Sequence, residues 1–414
     1  MIGTGVFTSS GLLVGELGGR AAVLSTWALG GLVALCGALV YAELGAMLPR
    51  VGGEYVYLSR AFPPVVGFTS GWLALLAGFG APIAAGAAAF GRYLAAALPG
   101  VPAGLAALLL IAVATAVHAR DVRGAGRLQV GLTAVNVIAM VALCVAGGVA
   151  LLAKASPAAI EPVAPGDVGV HALAVGLVLV SYSYFGWNAA AYVAGELESP
   201  QRTLPRALIA GCLLVTGLYV GLNALFLQAL PPAALAGQIE VAHLVATALF
   251  GPAAARALSL VIALVLAGSV SALTMTGPRV YLAMAEDGLF PRLFAQRNTR
   301  GAPSAGVLLQ GTLALVLVAT ATFDALLVYV GFTLSLSAAA TIAAAAWLRH
   351  KEPDLPRPFR TPGWPLTPLV FFALSLWMAT YSIRERPAES LAGGLSVAFG
   401  VAFYVVWRRR TRAT

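Results

Sequence analysis

Charge is scarce in this sequence of 414 residues. Asp, Glu, Lys and Arg together make up 10%, against about 25% in an ordinary soluble domain. Lysine is nearly missing, with 2 residues against 23 arginines. So few charges do not coat a water-exposed surface of this size, so a soluble multidomain protein is excluded. Cysteine is limited to Cys36, Cys144 and Cys212, far apart and each inside an apolar stretch, which excludes disulfide or metal-ligand spacing. His118, His171, His243 and His350 do not cluster, so no metal site is expected. There is no Walker A lysine. The nearest glycine cluster, IGTGVFTSSG at 2–11, lacks both the lysine and the spacing. Direct ATP-driven pumping by this chain therefore has no support. A nucleophile-and-base set is missing too, so the chain is not expected to be an enzyme or to need a cofactor. Glycosylation triplets of the Asn-x-Ser/Thr type do not occur.

What is present in their place is hydrocarbon. Apolar residues make up 60% and the mean hydropathy is +0.90. Between consecutive charges lie eleven uncharged runs, 21–42, 61–91, 93–119, 128–153, 168–195, 207–239, 257–278, 301–323, 325–348, 361–383 and 390–407, the shortest of 18 residues. A spanning helix needs about 20 apolar residues at 1.5 Å each, so every run is long enough to cross a bilayer. The alternating segments of about ten residues that mark a membrane β-barrel are missing. With the uncharged stretch 1–15 as a truncated first segment, the count is twelve.

The formal charge of +9 is explained by topology and not by nucleic acid. If the first segment runs outward, 19 of the 25 Lys and Arg residues fall at the cytoplasmic side, as the positive-inside rule requires. The C-terminus, with Arg408, Arg409, Arg410 and Arg412, is then cytoplasmic, and the chain is a multi-pass protein of the cell membrane. The loops are too short for a separate soluble domain.

Two segments carry glycine beside polar residues where the bilayer demands an intact helix. The first is 2–7, Ile2-Gly3-Thr4-Gly5-Val6-Phe7; the second is 181–188, Ser181-Tyr182-Ser183-Tyr184-Phe185-Gly186-Trp187-Asn188. Backbone that leaves the helix inside a bilayer must line a cavity. The breaks fall in segments 1 and 6, corresponding positions of two five-segment halves, the pattern of an inverted-repeat transporter. At such a break, free N–H groups attract a carboxylate and free carbonyls accept from an ammonium. A zwitterion with both groups on one carbon, an α-amino acid, fits. Glycines that only let helices pack closely are the plainer alternative.

Five ordered blocks, IGTGVF at 2–7, YAELGAMLPRVGGEYVYL at 41–58, YFGWNAAAYVAGELESPQRTLPRAL at 184–208, TGPRVYLAMAEDGLFP at 276–291 and RPFRTPGWPLTP at 357–368, resemble the amino acid–polyamine–organocation (APC) superfamily of permeases. Bacterial amino acid permeases akin to the L-type transporters are the most similar, over essentially the whole chain. The resemblance implies an all-α polytopic membrane protein with a LeuT-like five-plus-five inverted repeat and two extra C-terminal helices. Repeat one is then about 1–153, repeat two about 168–348, and the extra helices about 361–407, all in one transporter domain. It also implies a substrate site. The amides of Gly3, Thr4 and Gly5 and the Thr4 hydroxyl hold the substrate carboxylate. The carbonyls of Ile2, Tyr182 and Ser183 face the ammonium, the Tyr182 ring gates the site, and Gly186, Trp187 and Asn188 shape the unwound stretch.

The sequence departs from the family pattern twice. The family has a half-helix ahead of the Gly-x-Gly motif, whereas only Met1 and Ile2 precede Gly3 here, so the natural start is expected upstream, with a fragment as the alternative. Many proton-coupled members and exchangers carry a lysine in segment 5, where Asn136 stands here. An amide does not titrate, so a lysine-type proton switch is not expected at that place. Other coupling candidates are Ser269, Ser271 and Thr274 in segment 8, as oxygens for a coupling cation, although bonding back to the i−4 carbonyl is their commoner role. Glu43 is expected to pair at the interface, with proton carrying as its second reading. Arg279 and Glu286 are expected in a structural charge network, and Arg92 to snorkel outward. Tyr329, Phe332 and Thr333 pack in the core or line the far side of the cavity. The expected function is secondary transport of amino acids, neutral ones because no carboxylate lies within segments 6, 8 or 10 to meet a cationic side chain. A carrier of polyamines or organic amines and a non-transporting membrane sensor are the alternatives.

Overall fold

The computed structural model describes residues 3–153 and 169–413, with the side chains of 122–128 and 410–413 outside the description. Ile2 therefore lies outside the described residues. Every described regular element is helical. Among the described residues nine helices are long and apolar enough to cross a membrane. They are Arg20–Met47, Pro64–Ala97, Ala103–Arg120, Gln129–Ala153, Pro200–Ala229, Pro252–Glu286, Phe323–Lys351, Leu366–Glu385 and Pro387–Arg409. Three shorter helices, Thr4–Leu17, Val170–Tyr184 and Ser304–Thr320, occupy the remaining uncharged stretches. In chain order these are segments 1 to 12. The fold is an all-α polytopic membrane protein.

Segments 1 to 4 each pack against the segment five places later: 1 on 6, 2 on 7, 3 on 8 and 4 on 9. Small residues allow the close approaches. A Cβ on Gly30 of segment 2 would lie 2.2 Å from Val180 of segment 6, and one on Gly31 would lie 2.4 Å from Thr216 of segment 7. Lipid supplies no hydrophobic drive between helices, so such close packing has to. The outward surface is apolar. Leu105, Leu109, Val113 and Val117, at every fourth position of segment 4, are all exposed, which suits acyl chains and not water.

The ends of the bundle are held by ion pairs. At one end Arg50 meets Asp287, Arg60 meets Glu352, Arg279 meets Glu196, and Glu43 meets Arg349 and Arg357. At the other, Arg386 bridges Glu16 and Asp324, and Arg92 lies 3.7 Å from Glu240. Arg279 and Glu286 belong to different contacts, since Glu286 faces Arg297 at 3.8 Å. Cys36 and Cys212 are buried free thiols and Cys144 is half-buried. No cluster of three metal-ligating side chains occurs among the described residues.

Two further interruptions were not foreseen. Segment 3 is wound as a π-helix over Ala74–Gly80, a form that concentrates at functional sites. Segment 8 is divided at Gly277 into Pro252–Thr276 and Pro278–Glu286, where Pro278 lacks the N–H that would continue the ladder.

Candidate functional site

Two helix ends meet at one cavity. Segment 1 starts at Thr4, preceded by Gly3 in an extended conformation (φ −170°, ψ −144°) with no side-chain cap. Its first N–H groups have no intrahelical acceptor. Gly5 sits directly on segment 6, where a Cβ would lie 2.3 Å from the Cα of Ser183. The seam is sealed by a hydrogen bond of 2.6 Å between the hydroxyls of Ser9 and Ser183.

Segment 6 is helical through Tyr184 and then leaves the helix. Phe185 is extended (ψ 144°) and Gly186 has φ 101°, a conformation that only glycine adopts without strain. A short helix, Ala189–Tyr192, follows. The two carbonyls expected to face an ammonium are already engaged once each. That of Tyr182 accepts from the Phe185 amide, and that of Ser183 accepts from the Tyr219 hydroxyl at 3.2 Å. A carbonyl oxygen keeps a second lone pair for another donor.

The cavity between these ends has a volume of about 370 Å³, toward the lower end of the roughly 300–1,000 Å³ of small-molecule sites. Gly3, Thr4, Gly5, Tyr182, Ser183, Gly186 and Asn188 line it, and so do Asn136 and Ser269. Its apolar wall comes from Phe79, Leu214, Val215, Leu273, Val330 and Leu334. Among the described lining residues there is no Asp, Glu, Lys, Arg or His.

Three expected residues sit elsewhere. Trp187 points away from the cavity, edge-on to Tyr41 at 4.7 Å and packed on Phe371 of segment 11, because the turn at Gly186 reverses its direction. Ser271 bonds the ring of His118 at 2.8 Å. Thr274 bonds back to the Val270 carbonyl. Of the segment 10 residues, Tyr329 bonds Ser396 of segment 12, and Val330 and Leu334 face the cavity in place of Phe332 and Thr333. Glu43 is fixed by Arg349 at 2.8 Å and by the Thr361 amide at 2.7 Å.

Other residues escaped the sequence reading. Gln129 and Thr133 line the cavity beside Asn136. All three are polar positions at helical spacing on one apolar helix, a stripe that the period of 3.6 could have revealed. Asn136 contributes a buried carbonyl oxygen with no hydrogen-bond partner. Tyr192 and the π-helical stretch at Gly78 and Phe79 also reach the cavity. Glu54, behind Asn188, had no signal beyond its place in the second of the quoted blocks.

Comparison with known proteins agrees with this architecture. A family model described as amino acid permease matches residues 1–401. The human large neutral amino acids transporter small subunit 2 is 30% identical over 428 aligned positions, spanning 100% of this chain and 79% of its own length. The mouse b(0,+)-type amino acid transporter 1 is 28% identical, covering 98% of this chain and 85% of its own. The human cystine/glutamate transporter is 26% identical, covering 100% and 84%. By the match along nearly its whole length, this multi-pass membrane chain belongs to the amino acid permease family.

Proposed function

We propose that the protein is a carrier, not an enzyme, that moves neutral amino acids across the cell membrane by alternating access. The observation that carries this reading is the cavity: two helix breaks converge on it, and its described lining residues include no charged side chain. The substrate carboxylate sits at the amides of Gly3, Thr4 and Gly5, where the helix dipole adds to the free N–H groups. The ammonium takes the remaining lone pairs at Tyr182 and Ser183. The apolar wall receives an uncharged side chain of the size of leucine. A polyamine would bury cationic groups against this lining without a carboxylate, at a cost of several kcal/mol each.

The pairing of segments 1 to 4 with 6 to 9 supports two repeats, about 1–153 and about 168–348, with the helices of about 361–407 outside them. The Trp407 indole donates to the Gly288 carbonyl at 3.5 Å, beside the arginine-bearing loop 286–300, and this supports a cytoplasmic C-terminus. Saturable uptake of labelled L-leucine, L-alanine and L-phenylalanine into proteoliposomes tests the function. Lack of saturable uptake across such a panel, or competition by putrescine and not by leucine, would overturn it.

A further inference from the structure

The carboxyl of Glu54 is placed unlike any other acidic group described in the molecule. It opens the short helix Glu54–Ala61 between segments 2 and 3 and is 4% exposed. Yet among the described residues it makes no ion pair. Oε1 accepts from the Tyr41 hydroxyl of segment 2 at 2.6 Å and from the Asn188 amide of segment 6 at 3.1 Å. Oε2 accepts from the Ser337 hydroxyl of segment 10, which lies 3.4 Å from Ser70 of segment 3. The other groups that feel its charge are the rings of Tyr57, on its own helix, and Tyr192. Five arginines of this end pair with other acids: Arg349 and Arg357 with Glu43, Arg279 with Glu196, Arg60 with Glu352 and Arg50 with Asp287.

A buried carboxylate normally has a cation beside it, because removing a lone charge from water is costly. This one is held by neutral donors only, and burial pushes its pKa above the ordinary carboxylate range. One of its donors, Asn188, is also a wall of the cavity, as is Tyr192. The carboxyl thus touches the broken stretch of segment 6 from behind while bonded to segments 2 and 10. Asn136, an amide, does not titrate. We propose that Glu54 is the proton-binding group that couples transport to a proton gradient. Resting on the carrier reading above, the cycle takes a proton from hydronium on Oε2 and returns it to water after the substrate has crossed. On protonation the Ser337 hydroxyl turns from donor to acceptor, and with the charge lost the bond from Asn188 weakens. The broken stretch is then free to move against segments 2 and 10.

The test uses the full chain in proteoliposomes, the membrane potential clamped at zero, with labelled L-leucine as the probe. Two rates are read: leucine–leucine exchange at equal pH, and accumulation under an imposed proton gradient. One pH unit at one proton per substrate supports up to about tenfold accumulation. The native protein should show both. Glu54→Gln, which copies the shape and neutrality of the protonated acid, should keep exchange and lose gradient-driven accumulation. Ser337→Ala removes a donor that favours the charged form, so it should raise the pH midpoint of accumulation by about one unit. Absence of exchange in the native protein would strike the carrier reading and this proposal with it. Exchange without any response to the gradient, or full accumulation by Glu54→Gln, would strike Glu54 alone. If Glu54→Gln loses exchange as well, an unmoved midpoint in Ser337→Ala overturns the assignment and an upward shift supports it.

Discussion

The contact between segments 1 and 6 at Gly5 sets the geometry of the proposed carboxylate site, and one methyl group tests it. In Gly5→Ala the new Cβ would stand 2.3 Å from Ser183 Cα and 2.4 Å from its Oγ. The obstacle is backbone, so rotating a side chain does not relieve it. Either segment 1 moves off segment 6, or segment 6 yields next to its break. Overpacking of this kind costs about 1–3 kcal/mol. If the displacement falls wholly on the amides of Gly3, Thr4 and Gly5, the same energy corresponds to about 5- to 150-fold weaker substrate binding. Gly217 of segment 7 is the control, since a Cβ there meets nothing within 4 Å, and Gly to Ala in a helix gains up to about 1 kcal/mol. The assay pairs the thermal midpoint of the purified protein with the half-saturating leucine concentration for exchange. Gly5→Ala should lower the first and raise the second, while Gly217→Ala leaves binding unchanged. Native values for both in Gly5→Ala, or equal damage from Gly217→Ala, would refute the reasoning.

Three more outcomes are expected. Glu43→Ala should destabilise the protein by about 3–5 kcal/mol, because it removes both carboxylate acceptors of the Arg349 guanidinium in a largely buried site; a thermal midpoint equal to the native one would contradict this. Asn136→Lys should introduce pH dependence into leucine exchange between about pH 5 and 8, since a buried lysine loses several pKa units; a flat profile in the variant would show that residue 136 does not face the transport path. Glu54 makes stability itself pH-dependent. Its folded pKa is raised above the unfolded value of 4.5, so its contribution is full below that value and is lost as pH rises through the folded pKa. The thermal midpoint should fall across that window in the native protein and less steeply in Glu54→Gln, a difference that vanishes if the group stays ionised throughout.

The segments were legible in the sequence because the bilayer imposes a one-dimensional rule: a charge ends a run, and each of the uncharged runs holds a helix. The broken stretch at Gly186 was legible for a related reason, as glycine beside a cluster of polar residues in mid-run weakens the helix where lipid demands one. What escaped depends on the third dimension. Trp187 is adjacent in sequence to cavity residues, but the positive φ of Gly186 turns it onto Phe371. Ser271 and Thr274 looked equivalent to Ser269, yet only Ser269 faces the cavity; the helical turn puts the other two on His118 and on their own backbone. The π-helix at Ala74–Gly80 left no mark, because ALLAGFG is an ordinary apolar string. Glu43 and Glu54 were indistinguishable as acids near a loop. Which one meets arginine is settled by the fold of segment 10 and the strand of chain after it, 349–361, far away in sequence.

The parts that close the two ends of the cavity differ in strength. Lining residues such as Gln129, Tyr192, Gly211 and Thr276 lie in the halves of their segments nearest the arginine-rich loops, so the cavity extends toward that end. At the opposite end the helices between segments 7 and 8 cap segment 1: the Gly237 amide donates to the Gly11 carbonyl at 2.9 Å, and a Cβ on Gly11 would strike the Gln238 carbonyl. The ion pairs beside this cap, Arg386 with Glu16 and Asp324, are about one-third exposed, and exposed pairs contribute about 0–1 kcal/mol each. The Glu43 cluster at the arginine-rich end is buried, with the carboxylate 2% exposed, and breaking it is far costlier. In a carrier that works by alternating access, the parts that separate must be the weak ones. The cap over segment 1 and its exposed pairs fit that role, and the Glu43 cluster fits the fixed frame against which they move. Arg386→Ala should therefore change the rate of exchange more than it changes the thermal midpoint, whereas the reverse ratio would place the moving contact elsewhere.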